Sequence, residues 1–208
     1  MIIGLTGNYC AGKNYIAGIL EKHGLPVLDV DKVGHGVIES EKTTILDRFG
    51  KDILKPDGTI DRRLLGARVF GKPGELAALE AIVHPAVNRE TTAWIEVQQG
   101  PCVINAALLH FSSAFKLINA LIVVEAPLVT RLLRAKRRDR LSWRALLARF
   151  LSQKEPPSQY FTEKADIYRV KNRGNFWFKD FRFFGTKFVK RPEDRINEIL
   201  SCLGYIKA

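Results

Sequence analysis

The chain has 208 residues, 46% of them hydrophobic and 26% charged, so it can bury a normal core. Its 33 basic and 22 acidic side chains give a formal charge of +11, which favours polyanionic partners, either nucleic acid or phosphorylated small molecules. The sequence has no apolar run of about 18 residues and therefore predicts no membrane-spanning helix. Three cysteines without a CxxC spacing argue against structural disulfides and zinc sites, and we expect a cytoplasmic protein.

The first 31 residues predict a strand, a loop, a helix and a second strand. Residues 2–6 read as a buried strand, residues 14–23 have the spacing of an amphipathic helix stopped by Gly24, and residues 26–31 form a short apolar strand that ends in acid. This order is typical of an α/β fold with a parallel sheet.

Residues 32–99 predict a mostly helical lobe inserted into the sheet domain. Helical spacing recurs throughout this stretch. Asp57 and Gly58 mark a turn, and Pro73 with Gly74 marks a break between helices.

The second half of the chain returns to the sheet. Residues 102–105 and 121–125 are apolar and β-branched and predict two further strands, with a helical or loop segment around residues 108–119 between them. Residues 131–149 carry eight basic side chains against one acidic side chain, with apolar residues at helical spacing, and predict a helix that ends at the prolines 156–157.

The last segments differ from one another. Residues 176–191 hold six of the 12 phenylalanines and predict a hairpin that turns at residues 185–186. Pro192 then opens a final amphipathic helix.

The residues between the first strand and the first helix match the pattern G-x-x-x-x-G-K, from Gly7 to Lys13. Its two glycines let the backbone curl, so that N–H groups and the positive end of the helix cradle a triphosphate, and its lysine balances charge on the β- and γ-phosphates. The alternative is a chance glycine-rich turn. The predicted nucleotide-binding residues are Asn8, Tyr9, Cys10, Ala11, Gly12, Lys13 and Asn14.

The residue that follows the motif departs from the usual pattern. A serine or threonine hydroxyl normally holds Mg²⁺ there, whereas this chain has Asn14. An amide oxygen can ligate a hard cation, but it is longer and more restrained. The metal site is therefore predicted to be shifted, weakened or supplied by other residues.

Two carboxylates lie at the end of the second predicted strand. Ligands bind outside the carboxyl ends of the strands in an open parallel sheet, so Asp29 or Asp31 could accept a proton from an attacking hydroxyl or help to hold magnesium. We favour Asp31. The alternative is a solvated turn or a cap for a helix over residues 32–39.

The basic residues 131–149 are predicted to form a lid. Arginines on a mobile lid often meet transition-state charge in nucleotide kinases, and the rigid guanidinium fork suits that task. Arg138 is the predicted catalytic arginine, with Arg134 and Arg137 as candidate neighbours. The alternatives are a solvated helix face and contact with RNA.

Several short matches in consistent order make the chain resemble the dephospho-CoA kinase family over roughly residues 1–175. The matching segments are residues 4–13, the pair Asp29 and Asp31, Asp57 to Thr59 with Arg62, Arg63 and Phe70, His84 with Pro85, Arg138 with Asp139, Leu141, Ser142 and Gln153, and Ala165 to Ile167 with Asn172 and Gly174.

The resemblance implies a three-layer P-loop kinase that uses ATP and Mg²⁺ to phosphorylate the ribose 3′-hydroxyl of dephospho-CoA, the last step of coenzyme A biosynthesis. It implies a core of about residues 1–31, 100–130 and 160–208, a CoA-binding helical lobe of about 32–99 and a lid of about 131–159. We further expect a monomer or small homo-oligomer, no membrane partner, and a small-molecule substrate in preference to nucleic acid.

The same resemblance assigns roles to individual residues. Asp31 would activate the acceptor hydroxyl, and Lys13 and Arg138 would attend the transferred phosphoryl group. Asn14 and Asp31 would hold the metal. The predicted acceptor-binding residues are Asp31, His84 and Arg63, although His84 could instead cap a helix that Pro85 opens.

The chain departs from the family after its third strand. The usual acid, proline and glutamate are replaced by Asn105, Ala107 and Phe111, and the segment 153–166 is lengthened. These changes remove charge that would organise magnesium and substrate. The alternatives of a slow, a retuned and an inactive enzyme are therefore all compatible with the sequence.

Three other functions stay open from the sequence. A degenerate kinase would bind nucleotide without turnover, and another P-loop kinase would act on a different acceptor such as a nucleoside monophosphate. The charge and the aromatic–basic segment 176–191 also permit single-stranded nucleic-acid binding, against which stands a hairpin that packs on the core or forms a dimer contact.

Overall fold

A computed structural model describes residues 1–107, 109, 116–139, 141–152, 165–173 and 190–206, and within them five strands form one parallel sheet. The strands are β1 (Ile2–Gly7), β2 (Val27–Asp29), β3 (Cys102–Asn105), β4 (Ala120–Glu125) and β5 (Asp166–Lys171). The helices are α1 (Lys13–Lys22), α2 (Val30–Ser40), α3 (Lys42–Phe49), α4 (Arg62–Val69), α5 (Pro73–Glu96), α6 (Leu128–Asp139), α7 (Trp143–Ser152) and α8 (Pro192–Cys202), with a 3₁₀ turn at Lys51–Ile53. The predicted α/β class and parallel sheet are confirmed.

The central strand of the sheet is β1. The order is β2–β3–β1–β4–β5, and β1 pairs in parallel with both β3 and β4. Asn105, the last residue of β3, is in register with Leu5 of β1 and with Asp29 of β2. The carboxyl ends of these three strands therefore meet at one edge, which is where open α/β sheets bind ligands.

Helices cover both faces of the sheet. On one face, Ile3 and Leu5 are buried against residues of α1 and α8. On the other face, Ile104 packs with Val30 of α2 and with Trp94 of α5. The three-layer arrangement follows from these two clusters, as expected for strands buried on both sides.

A separate apolar cluster lies under α3, α4 and the first half of α5, and its buried members are Ile45, Phe49, Ile53, Ile60, Leu65 and Val69.

The predicted turn at Asp57 is present, because its carboxylate accepts from the Thr59 N–H at 2.8 Å and Gly58 has a φ of 79°. The predicted break between helices is also present, since α4 ends at Val69 and α5 begins at Pro73. The second half of α5 packs on the sheet and so joins the two cores. The division into core, lobe and lid stays a prediction.

The second strand is shorter than predicted. β2 ends at Asp29 and α2 begins at Val30, whereas the sequence predicted a strand through Asp31. The Asp29 carboxylate accepts from the Lys32 N–H at 3.3 Å and thereby satisfies a donor that the first turn of a helix leaves free. Asp31 consequently lies on the first turn of α2.

The interpretation of His84 as a helix cap is wrong. α5 runs without interruption through His84 and Pro85. Pro85 has no N–H to bond with the carbonyl of Ala81, a loss of about 3 kcal/mol in a helix interior. Packing of α5 against α2 and against the sheet offsets that loss, and the sequence alone does not reveal such tertiary support.

The basic stretch forms two helices, α6 and α7, and the prediction of one helix is wrong. The Ser142 hydroxyl accepts from the Ala145 N–H at 3.3 Å and caps the start of α7. The strand β5 was not predicted, because its charged residues at 166, 169 and 171 interrupt the apolar run expected of a parallel strand. Among the described strands β5 is the outermost, where such charges are tolerated.

Candidate active site

The loop between β1 and α1 has the backbone that a phosphate site requires. Gly12 adopts a φ of 98°, in the left-handed region that favours glycine, and a Cβ there would overlap the side-chain nitrogen of Asn172. Cys10 has a φ of 58°, which is strained for a residue with a side chain. Gly12 is the N-cap of α1 and has no side chain to cap the helix, and the Tyr15 N–H donates to the Gly12 carbonyl at 3.1 Å. The N–H groups of Lys13 and Asn14 are therefore the first-turn donors that suit an anion.

Two residues, which we call the loop anchor, hold the carbonyls of the loop from outside. Arg134 of α6 donates from Nη1 to the carbonyls of Ala11 at 2.9 Å and Cys10 at 3.3 Å. Asn172, which follows β5 and is buried, donates from Nδ2 to the Ala11 carbonyl at 2.9 Å and accepts from Arg134 Nη2 at 3.1 Å. The loop anchor therefore keeps carbonyls turned outward, which leaves loop N–H groups for the ligand.

Two charged residues, which we call the mouth pair, lie at the open side of the loop. Lys13 Nζ is 3.5 Å from Asp31 Oδ2, and the lysine side chain is 13% exposed against 55% for the aspartate. Lys13 Nζ has no hydrogen-bond partner among the described residues. Burial lowers the pKa of Lys13, and the Asp31 carboxylate offsets part of that effect. The ion pair with Asp31 is the compensation that the described residues give this buried ammonium, and an anionic ligand would add the hydrogen bonds that a buried cation needs.

The two carboxylates that the sequence leaves as alternatives have different surroundings. Asp29 is the cap of α2 and its carboxylate is engaged with the helix backbone. Asp31 contacts the Lys13 ammonium, and its Oδ1 lies 3.4 Å from the N–H of Ala107, just past β3. Only Asp31 belongs to the mouth pair, and its catalytic role stays a prediction.

Arginines of α6 and α7 gather around the ring of Tyr9. The guanidinium of Arg138 is 4.9 Å and that of Arg149 is 5.2 Å from the centroid of the Tyr9 ring. Both arginines pair with Asp139, at 2.7 Å and 3.3 Å. Arg131 donates to the Tyr9 carbonyl at 2.8 Å. Such cation–π contacts bring the predicted catalytic arginine over the phosphate loop.

The three arginines that the sequence groups together therefore separate. Arg138 stacks on Tyr9, Arg134 serves as part of the loop anchor, and Arg137 is exposed. The sequence analysis named Tyr9, Arg134 and Asn172, but not the stacking of Arg138 on the Tyr9 ring or the part that the other two play in the loop anchor. The signal for Asn172 was its place in the family pattern, because β5, the strand that it follows, was not predicted.

Asn14, one of the two predicted metal ligands, contacts Asn105, the asparagine that replaces the usual acid of the family. Asn105 Nδ2 donates to Asn14 Oδ1 at 3.2 Å, across 91 residues of sequence. Asn105 is 2% exposed, and its Oδ1 has no hydrogen-bond partner among the described residues. Within the described part of the chain, no group of three or more His, Cys, Asp or Glu side chains is arranged to hold a metal ion.

The predicted acceptor residues lie on the helical lobe. Arg63 is exposed on α4, and the contact it makes with the capping residue Asp61 is through its backbone N–H at 2.8 Å. His84 is half-buried inside α5. Their roles in binding the acceptor stay predictions.

Some predicted features fall outside the described residues. They are Phe111, Gln153, the prolines 156–157, Gly174 and the hairpin at 176–189 with its proposed role in nucleic-acid binding.

Comparison with known proteins assigns the chain to a family. A family model described as dephospho-CoA kinase matches residues 1–174. A dephospho-CoA kinase from Anaeromyxobacter dehalogenans is 38% identical over 159 residues, which is 73% of this chain and 75% of the relative, and one from Wolinella succinogenes is 34% identical over 179 residues, 83% and 86%. The chain belongs to the dephospho-CoA kinase family.

A solved structure supports the same fold. A Thermus thermophilus protein superposes with a TM-score of 0.75 at 28% identity and covers 100% of this chain and 98% of its own. The family resemblance and the phosphotransferase class predicted from the sequence are thus confirmed, and membership implies ATP as the phosphoryl donor.

The helices of the described residues include none with the length and apolar character needed to cross a bilayer. The cytoplasmic location and the oligomeric state stay predictions.

Proposed function

We propose that this chain transfers the γ-phosphoryl group of ATP to the ribose 3′-hydroxyl of dephospho-CoA, and that Lys13, Asp31 and Arg138 carry the reaction. The observation that supports this most directly is the mouth pair. The buried Lys13 ammonium, which has no hydrogen-bond partner among the described residues, lies 3.5 Å from the half-exposed Asp31 carboxylate. Both groups lie at the open side of a loop whose carbonyls accept hydrogen bonds from the loop anchor. That arrangement suits a donor phosphate and an acceptor hydroxyl side by side.

The residues of the chain divide the work as follows. The loop N–H groups and Lys13 bind the β- and γ-phosphates. As the ammonium turns to the phosphates, the Asp31 carboxylate is released from its contact with Lys13 and accepts the proton of the 3′-hydroxyl. The acceptor oxygen forms its bond to the γ-phosphorus, the bond to the β–γ bridging oxygen breaks, and ADP leaves. Arg138 meets the charge on the transferred group.

The residues present fit Mg²⁺, although they offer the ion fewer charged ligands than the usual motif does. Asn14 and Asp31 would hold the ion, with carbonyl-type and carboxylate oxygens of the kind that Mg²⁺ accepts. Since Mg²⁺ usually keeps several waters and relies on substrate phosphates, a site with one protein carboxylate is sufficient to retain it. The ion supplies charge neutralisation on the β- and γ-phosphates when bound.

We place the acceptor between the mouth pair and the helical lobe. His84 lies one helical turn before Val87, a residue of α5 that approaches Gly34 of α2. Asp31 lies one turn before Gly34 on α2. Residues three apart share a helix face, so His84 and Asp31 each neighbour the contact between α2 and α5, and Arg63 contributes positive charge from α4.

The decisive experiment measures ADP release with Mg²⁺–ATP against a panel of acceptors. We expect turnover with dephospho-CoA and none above background with AMP, GMP or UMP. Mass spectrometry of the product should show one added phosphate, and nuclear magnetic resonance should place it on the 3′-oxygen. Turnover with a nucleoside monophosphate instead would identify another P-loop kinase.

Asn14 and Asn105 favour one second candidate, a protein that binds nucleotide without catalysis. Their amides replace charged or hydroxyl ligands and contact each other. Calorimetry separates the two functions, because the second requires tight ATP or CoA binding with no product across a wide range of Mg²⁺ and Mn²⁺ concentrations.

A further inference from the structure

The amides of Asn14 and Asn105 occupy the positions where P-loop enzymes usually place a hydroxyl and a carboxylate for magnesium. Asn14 is exposed at the first turn of α1, and Asn105 is 2% exposed at the end of β3. The 3.2 Å hydrogen bond from Asn105 Nδ2 engages one lone pair of Asn14 Oδ1. An amide oxygen has a second lone pair, so Asn14 Oδ1 keeps one acceptor site for a cation or a water.

The other end of the Asn105 amide is unsatisfied. Its Oδ1 is buried and has no hydrogen-bond partner among the described residues. A buried acceptor left without a partner destabilises the fold, and such an atom in a native fold calls for an explanation. Water held by Mg²⁺ is a donor of the right chemistry, because that ion keeps several waters when it binds with a nucleotide.

We propose that Asn105 is a positioning residue for the Mg²⁺ that accompanies the nucleotide. Its Nδ2 orients the Asn14 oxygen toward the ion, and its Oδ1 accepts from a water of the ion. The two asparagines thus form one neutral unit that replaces a hydroxyl and a carboxylate, so that a substitution at either position undoes the contribution of the other. This inference rests on nucleotide binding as part of the proposed function, but it does not require turnover.

The test measures the affinity of a non-hydrolysable ATP analogue in EDTA and at increasing Mg²⁺, by calorimetry. Asn105→Ala should weaken Mg²⁺ binding in the nucleotide complex by about 10–100-fold, as is usual for residues that orient metal ligands, and leave the affinity in EDTA within about twofold. Asn14→Ala should have a similar effect. The double variant should be no worse than Asn14→Ala alone, because coupled residues are not additive.

A rescue variant covers the possibility that a small residue at 105 disturbs the fold. Asn14→Ser with Asn105→Asp installs the hydroxyl and the nearly isosteric carboxylate, and it should bind Mg²⁺ more tightly than Asn14→Ser alone. Equal Mg²⁺ affinity of those two variants, or losses at 14 and 105 that simply add, would overturn the pairing. A merely structural role of Asn105 would weaken the analogue equally with and without metal. Absence of turnover in the wild type would contradict the proposed function. The measured Mg²⁺ affinities would still test the pairing of Asn14 and Asn105.

Discussion

The loop anchor and the mouth pair act on the same seven-residue loop in opposite ways. Arg134 and Asn172 satisfy the carbonyls of the loop with hydrogen bonds of 2.9–3.3 Å. Lys13 and Asp31 lie on the open side, where the lysine ammonium has no hydrogen bond in the described structure and the two side chains touch at 3.5 Å. The hydrogen bonds on the side of the loop anchor are satisfied without a ligand, whereas those on the side of the mouth pair are not.

This difference shows how the chain prepares a charged site without a ligand. Buried polar groups in native folds are almost all satisfied, so an exception marks where a partner belongs. The loop anchor supplies rigidity through fixed hydrogen bonds, and the mouth pair retains charge for the reactants. Substitutions on the two sides should therefore separate catalysis from binding.

The largest effect is expected at the carboxylate of the mouth pair. Asp31→Asn should lower kcat by about 10²–10⁴, the usual contribution of a general base, with little change in the ATP affinity measured in EDTA. Asp29→Asn is the matched control, because Asp29 caps α2 and should cost no more than a few-fold in steady-state kinetics. Equal losses in both variants would show that the carboxylates act through the fold of α2.

The next effect separates two neighbouring arginines of α6. Arg138→Ala should lower kcat by about 10²–10³, a magnitude typical of removing one group that stabilises transition-state charge. Arg137→Ala, an exposed residue with the same charge, should change kcat less than about twofold. If Arg137→Ala proves as damaging as Arg138→Ala, the lid acts through general positive charge instead of through one guanidinium.

A substitution in the loop anchor should act on binding. Arg134→Met removes hydrogen bonds from a charged donor to the loop carbonyls, each worth about 1.5–3 kcal/mol, so the ATP-analogue affinity should fall by about 10–100-fold and Tm should drop. The kcat at saturating ATP should change much less, as steady-state and thermal-melt measurements can show. A large loss of kcat with unchanged affinity would place Arg134 among the catalytic groups.

The Tyr9 ring should have a smaller effect. Exposed cation–π contacts contribute about 0.5–1 kcal/mol each, and two arginines use this ring. Tyr9→Ala should therefore lower kcat/KM by about five- to thirtyfold, whereas Tyr9→Phe keeps the ring and should stay within about twofold of the wild type. Similar kinetics for Ala and Phe would rule out the ring as a support for Arg138.

The smallest effect concerns pH. Nucleotide binding needs protonated Lys13, whose pKa burial lowers and Asp31 partly restores. Asp31→Asn removes the restoring charge, so the pKa of Lys13 should fall further and ATP-analogue affinity should decline at a lower pH than in the wild type. Calorimetric affinities across neutral to alkaline pH give the comparison. Asp29, a weaker contributor to the same pKa, should give a smaller shift in the same direction when changed to Asn.

Local patterns were sufficient for several parts of this protein. The phosphate loop, α1, β1, β3 and β4, the turn at Asp57 and the helix after Pro192 all follow from residues close in sequence, since glycine conformations, caps and apolar periods are local properties. Where tertiary packing competes with a local signal, the prediction was wrong. Pro85 lies inside α5. The end of β2 was misplaced for a local reason instead, because the Asp29 side chain caps α2.

The amino-acid sequence by itself determined a glycine-containing loop between a buried strand and a helix, and it predicted an anion site there with an acid nearby. Only the tertiary structure decided which arginine secures the loop and which stacks above it, because Arg134 and Arg138 are one turn apart on one helix and carry the same charge. It likewise brought Asn105 to Asn14 across 91 residues. Partners that distant meet through sheet register and helix packing, which no spacing along the chain records.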